Sequence, residues 1–438
     1  MNASSDKRPE GGAIGQFLEP RPILFVLYAI ACAFTVYLCM YSFRKAYDVG
    51  EYKHLYFVGT KIELKTAFVI SQIIGYMLSK FLGSWICTSI RPNQRVPLLV
   101  GLVSLAELAL VGFAILPNDW KALAMFCNGL PLGMIWGLVV SYLEGRRMSE
   151  ILVVGLSCSY VVGGDVAKDV ANNIVIQTMG VSEWWMPAVT GGLFFLPFLI
   201  SVYFLNRLPP PNAADIQSRS QRVRMTGADR WAFLRRFGSG FILLLAAYFF
   251  LTAYRDFRDH FGIEILRGLG LGDQKAIFTR LNMWSGFAVL GAFGVLNMVR
   301  GHRAALFAIY GLIITSFALI TLVTVLYQSQ MIDGFAWYAA IGACTYLAYV
   351  PYGALLFERM VAATRISATS VFAIQLADGI GYSGSVFMQL FRDYFYGGVS
   401  RLEFFVLLSY VVSAIGVVMM TLSLWRLIPT IPKEEPKP

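Results

Sequence analysis

A handful of ionisable side chains stand inside long apolar runs, where each calls for a chemical reason. Arg44 and Lys45 end one run, Lys80 lies within Tyr76-Met77-Leu78-Ser79-Lys80-Phe81, and Asp165, Lys168 and Asp169 share a third run. Arg255, Asp256, Arg258 and Asp259 close a fourth, and Asp378 stands in a fifth. A charge at the centre of a bilayer costs at least ~2.5 kcal/mol on insertion scales, so such residues turn to a cavity or a partner. Guanidinium offers planar paired donors that match an oxyanion, and it stays charged in any environment. Aromatic residues crowd both arginine positions: Tyr37, Tyr41, Phe43 and Tyr47 near Arg44, and Tyr248, Phe249, Phe250 and Tyr254 near Arg255. These types point to recognition of a small anion. Asp165 and Asp378 would repel one, so they either neutralise Lys80 and Lys168, hold an ammonium group, or carry a proton.

Each residue also has a plainer role open to it. Arg44 and Arg255 lie toward the ends of their runs and could snorkel to the interface. Arg255 and Arg258 are one turn apart and are expected to face the same way, unless one pairs with Asp256 or Asp259. Lys168 can pair with Asp165 or Asp169. Lys80 is too deep for snorkelling. The Glu144/Arg146 and Glu358/Arg359 pairs at helix ends read as structural ion pairs.

Other chemistries find no support. His54, His260 and His302 are scattered, and the six cysteines (Cys32, Cys39, Cys87, Cys127, Cys158 and Cys344) form no CxxC pair, so no metal site is expected. Gly268-Leu269-Gly270-Leu271-Gly272 follows no strand and is not a phosphate loop. With no nucleophile–base constellation and no cofactor motif, an enzyme is not expected.

The elements that must hold these residues are transmembrane helices. The chain has 438 residues, 57% hydrophobic and 14% charged, with a mean hydropathy of +0.62. Soluble domains carry roughly a quarter charged residues, so this chain has too little polar surface for water. A spanning helix needs about 20 apolar residues. Such runs fall near 22–43, 66–90, 96–117, 121–143, 151–178 and 185–206, then 237–258, 275–299, 303–327, 334–357, 367–391 and 402–427. The fold class expected is therefore an all-α membrane protein with twelve transmembrane helices. The domains are a tail 1–21, a six-helix half 22–206, a basic linker 207–236, a second half 237–427 and a tail 428–438. The linker holds Arg219, Arg222, Arg224, Arg230, Arg235 and Arg236, and positive charge marks the cytoplasmic side, so both termini are expected there. The net charge of +10 thus serves topology, and nucleic acid is not an expected partner. Residues 1–21 do not read as a cleavable signal.

The halves repeat at an offset of 214 residues: Phe43-Arg44 falls on Phe257-Arg258, Glu144 on Glu358, and Gly163-Gly164-Asp165 beside Asp378-Gly379. A six-plus-six parallel repeat is the arrangement of the major facilitator superfamily. In that fold spans one, two, five, seven and eleven would line the central cavity, and they carry nearly all of the charges named above.

Several segments resemble one branch of that superfamily, the organophosphate:phosphate antiporters that carry glycerol 3-phosphate and hexose phosphates. Tyr41-Ser42-Phe43-Arg44-Lys45 resembles its first-helix signature, Ser79-Lys80-Phe81 its second-helix lysine segment, and Tyr254-Arg255 its seventh-helix arginine. Tyr349-Val350-Pro351 and Gly379-Ile380-Gly381-Tyr382-Ser383-Gly384-Ser385 are similar to its tenth- and eleventh-helix motifs. The family's fifth-helix histidine falls on Tyr160, and the usual acidic-arginine loop after the second helix is degenerate in 83–91. The resemblance implies a phosphate-type head group held by Arg44 and Arg255, with Lys80 supporting; Arg258, Tyr41, Tyr160, Asp165 and Asp378 are further candidates from the residues themselves, and Asp165, Asp169 and Asp378 have no counterpart in that family. The expected function is a monomeric inner-membrane secondary transporter for an organophosphorus anion, with exchanged phosphate as the family's counter-substrate; the carboxylates, read by themselves, add either an amine-bearing substrate such as 2-aminoethylphosphonate or a coupling proton. A receptor that senses organophosphate without moving it, and a carrier for an unrelated organic anion, are the alternatives.

Overall fold

Long apolar runs give long helices because in hydrocarbon every backbone N–H and C=O must be satisfied within the segment. The computed structural model describes residues 12–143, 146, 148–211, 215, 227–299, 301–364 and 370–430. Glu144, of the helix-end pair named above, and linker residues Arg219, Arg222 and Arg224 lie outside the described residues. Among the described residues the regular secondary structure is helical apart from one isolated bridge, Tyr56 with Glu63. The chain divides into two compact units, 1–220 and 221–438.

The first unit contains α1 (Pro22–Lys45), α2 (Leu64–Ser89), α3 (Arg95–Ile115), α4 (Asn118–Leu143), α5 (Ile151–Thr178) and α6 (Met186–Leu205). The second contains α7 (Gly227–His260), α8 (Ile277–Met298), α9 (His302–Gln328), α10 (Gly334–Pro351, running on to Thr364), α11 (Ser370–Phe395) and α12 (Arg401–Leu427). These are the twelve expected spans. Eight of the helices among the described residues are individually long and apolar enough to cross a membrane.

Local sequence sets the ends and breaks. Pro22 opens α1, where a missing N–H costs nothing. Asp333 caps α10 by accepting from the Ala336 N–H, and Ser400 with Glu403 closes a reciprocal capping box on α12. Pro131 precedes a break in α4 at 133–134, because it removes a donor and crowds the preceding turn. α5 widens to i→i+5 turns over Val170–Thr178, and α10 does so over Tyr352–Leu356, directly after Pro351. Gly238 interrupts α7 with φ 46° and ψ −130°, a conformation that L side chains rarely adopt. The basic segment expected as pure linker is therefore helical from Gly227 and breaks away from the span at Gly238.

Glycine also lets α2 and α4 pack backbone to backbone. Gly75 lies against the Phe126 carbonyl, Gly129 against the Gln72 carbonyl, and Gly133 against the Tyr76 carbonyl. Small residues at four-residue spacing drive such association in lipid, where no hydrophobic effect pulls helices together. A Cβ at 129 would overlap the Gln72 backbone, which cannot rotate away. Gly129→Leu is expected to separate the two helices at a cost of roughly 1–3 kcal/mol or more. Thermal unfolding and size-exclusion profiles in detergent check this, and a variant melting with wild type would refute the packing.

Candidate functional site

In the first unit, the last turn of α1 delivers Arg44 to α2. Its guanidinium carbon lies 3.8 Å from the centre of the Tyr76 ring. Lys80, one turn further along α2, places its ammonium 5.5 Å from the same ring. Each cation gains electrostatically from the ring face, about 0.5 kcal/mol when exposed and about 2 kcal/mol when desolvated. The backbone beneath Arg44 is fixed by two amides. Gln72 Nε2 donates to the Arg44 carbonyl at 3.0 Å and to Asn128 Oδ1 at 2.8 Å. Asn128 Nδ2 in turn donates to the Phe43 carbonyl at 3.1 Å and to the Ala106 carbonyl at 3.0 Å. Four helices thus meet at the turn that carries Arg44.

Tyr41 is buried one turn before, edge-on to Tyr37 at 5.5 Å, and Tyr37 meets Trp136 of α4 at 5.0 Å. α5 approaches closely here, since a side chain at 163 would collide with the Tyr41 ring. Asp165, Lys168 and Asp169 are all buried on α5. The side chain of Tyr160 lies outside the described residues. Lys45 is occupied by Asp48, at 3.3 Å.

In the second unit, Arg255 lies over Tyr349 of α10, its guanidinium carbon 3.9 Å from the ring centre. Its Nε donates to Asp256 Oδ1 at 3.0 Å and its Nη2 to the same oxygen at 2.5 Å, the pairing that the sequence left open. Ser385 of α11 donates to the other Asp256 oxygen. Tyr349 stacks on Tyr248 at 5.5 Å with the planes 16° apart, and Tyr248 meets Tyr352 at 4.6 Å. The Tyr248 hydroxyl donates to Asp378 Oδ1 at 3.2 Å. Arg255, three tyrosines and Asp378 therefore form one continuous group on α7, α10 and α11.

Arg258 does not belong to it. Both arginines turn toward α10, as their spacing implies, but they diverge along that helix. Arg258 lies over Tyr338, 4.1 Å from the ring centre, and its Nη2 donates to Asn282 Oδ1 at 3.0 Å and to the Tyr338 carbonyl at 3.2 Å. The Tyr338 hydroxyl returns a bond to the Arg258 carbonyl at 3.1 Å. Gly342 leaves the space, since a Cβ there would meet the guanidinium. Arg258 is 4% exposed and acts as a clasp joining α7, α8 and α10. Its side chain thus stands apart from the Arg255 group, although the repeat aligns it with Arg44.

Sequence reasoning passed over Tyr76 as a cation platform, over the amides Gln72 and Asn128, and over Glu107 in the middle of α3. The amides carry no charge and so do not stand out in an apolar run. Glu107 does, as one acid within Leu105-Ala106-Glu107-Leu108-Ala109-Leu110. Among the described residues no three histidine, cysteine, aspartate or glutamate side chains gather as metal ligands.

The fold is that of the major facilitator transporters. The chain is similar to the D-xylose-proton symporter at TM-score 0.62 and 14% identity, covering 91% of this chain and 97% of that one. A nucleoside transporter, NupG, matches at TM-score 0.59 and 12% identity, covering 94% and 100% of the two chains. A bacterial homologue of the human lysosomal transporter Spinster, inward-facing and unoccupied, matches at TM-score 0.57 and 15% identity, covering 94% and 96%. At such identities the likeness speaks for the fold alone. No curated protein matches the sequence. A family model described as "Family of unknown function (DUF5690)" matches residues 46–428, and the chain belongs to that family.

Proposed function

We propose that this protein is a secondary transporter that moves a small organophosphorus anion, a phosphate ester or phosphonate, by alternating access. The observation that carries the reading is that each unit holds an arginine inside an apolar run beside a second group that could meet a ligand: Arg44 over Tyr76 with Lys80 on the same ring, and Arg255 over Tyr349 in one group with Asp378. A sugar or nucleoside needs hydroxyl and amide partners; a guanidinium inside an apolar run is an expensive way to supply them and a direct way to bind an oxyanion. The structural neighbours, transporters of D-xylose and nucleosides by their titles, favour transport over signalling. Lys80, on the same ring as Arg44, adds a second positive charge to the anion side.

Asp378 refines the substrate class. Held by the Tyr248 hydroxyl beside the Arg255 group, it suits an ammonium on the ligand, which favours a zwitterion such as 2-aminoethylphosphonate. Asp165 is the corresponding carboxylate of the first unit. The protein then works as a monomer in the bacterial inner membrane with both termini cytoplasmic, the basic segment before Gly238 marking that side.

The test is binding of ethylphosphonate, 2-aminoethylphosphonate, glycerol 3-phosphate and a carboxylate of equal size, followed by thermal shift. Wild type is expected to prefer the aminated phosphonate, and Asp378→Asn to lose that preference while keeping affinity for ethylphosphonate. Equal loss of both ligands would make Asp378 a structural counter-ion. A response to carboxylates alone would end the organophosphorus reading.

A further inference from the structure

Glu107 lies near the middle of α3, next to Ala106 of the amide network beneath Arg44, and it has an unusual setting. Among the described residues no hydrogen-bond donor reaches its Oε2, which is sealed from solvent. The carboxylate rests against Gly191 and Gly192 of α6, and any side chain at 191 would collide with both Oε2 and the Phe43 ring. The bare backbone of α6 is what leaves room for a carboxyl at this depth.

The charged groups on the elements around it are engaged elsewhere. On α1, Arg44 lies over Tyr76 and Lys45 on Asp48. On α4, Lys121 donates to the Phe113 carbonyl, and Asp119 belongs to the first turn. After α6, Arg207 lies over Tyr203; at the start of α3, Arg95 lies over Tyr142. An ionised carboxylate whose sealed oxygen has neither cation nor donor costs more in such a place than taking up a proton does. The neutral acid is the form this packing accommodates.

One connection leads away from it. Asn128 binds the carbonyl of Ala106, the residue before Glu107, and with the same amide nitrogen the carbonyl of Phe43, the residue before Arg44. A shift of α3 when Glu107 ionises therefore bears on the turn that presents Arg44.

We propose that Glu107 is a proton-binding site, occupied in this conformation, and that its proton is the one coupled to substrate movement. The second half rests on the transport reading above; the first does not. Glu107 loads when α3 and α6 are packed as here. It releases its proton when that contact opens to water, and Asn128 passes the change to Arg44.

The experiment has two arms on full-length protein in liposomes. Infrared difference spectra between acidic and alkaline buffer are expected to show the carbonyl band of a protonated carboxyl in an apolar setting, present at neutral pH and missing in Glu107→Gln. Spectra that Glu107→Gln leaves unchanged would overturn the proton site whatever the protein transports. In the second arm, ethylphosphonate and 2-aminoethylphosphonate are followed under an inward proton gradient. One proton per substrate supports about tenfold accumulation per pH unit. Glu107→Gln, isosteric and permanently neutral, is expected to lose that accumulation while retaining exchange of labelled for unlabelled ligand. Accumulation equal to wild type would overturn the coupling role. If wild type moves neither probe, the transport reading fails, and the infrared arm still decides the proton site.

Discussion

Replacing Arg255 with alanine is expected to weaken apparent affinity for the organophosphorus ligand at least ~10-fold, and replacing Arg44 is expected to do the same. A hydrogen bond to a charged group contributes about 1.5–3 kcal/mol, and every 1.4 kcal/mol is a factor of ten. Each substitution also removes a guanidinium from a tyrosine face, Tyr76 or Tyr349, and among the described residues only Tyr76 keeps a second cation, Lys80. Lysine at either position keeps the charge and loses the planar fork, so it rescues long-range attraction and not the geometry. Uptake of labelled ligand into vesicles, with binding measured in parallel, separates affinity from turnover. If Arg44→Ala and Arg255→Ala both transport at the wild-type rate and concentration dependence, the arginine reading is wrong.

Arg258→Ala is expected to fail differently. The substitution strips the donor from two buried acceptors, Asn282 Oδ1 and the Tyr338 carbonyl. Each unsatisfied buried partner costs roughly 1–3 kcal/mol. It also opens a void against Gly342 and removes the clasp between α7, α8 and α10. Yield and melting temperature in detergent should fall, while protein that does fold keeps its ligand-induced stabilisation. The reverse pattern, wild-type melting with no ligand response, would transfer the anion role from Arg255 to Arg258. The two arginines are one turn apart on one helix, so the contrast between them is a direct test of the geometry.

Much of the architecture could be read from the sequence because lipid imposes simple rules. Apolar runs of spanning length became helices in their expected places, and Arg44, Lys80, Arg255 and Asp378 stood out as charges within them. What could not be read was side-chain direction. Spacing puts Arg255 and Arg258 on one face of α7, but a long side chain can reach up or down its neighbour, and only the positions of Tyr338, Tyr349 and Gly342 on α10 decide which. The internal repeat does not separate the two: it aligns Arg44 with Arg258, and both Arg255 and Arg258 lie over tyrosine rings of α10. Asn128 and Gln72 are neutral amides whose importance comes from meeting four helices at once, a property of the packing and not of local sequence. The break at Gly238 depends on a positive φ that glycine permits but does not demand.

The way Arg255 is held bears on how fast a ligand would come and go. Its flat face lies on Tyr349 and its Nε edge is bound by Asp256, itself anchored by Ser385. Most of the rotational freedom of a long flexible side chain is thus given up before any ligand arrives. A binder that finds its partner already oriented loses less entropy on association. Loosening the cradle, by Tyr349→Leu or Ser385→Ala, leaves the charge in place and so should hardly alter the rate of encounter. The difference would show in residence time, with the ligand leaving sooner from an arginine that has begun to wander.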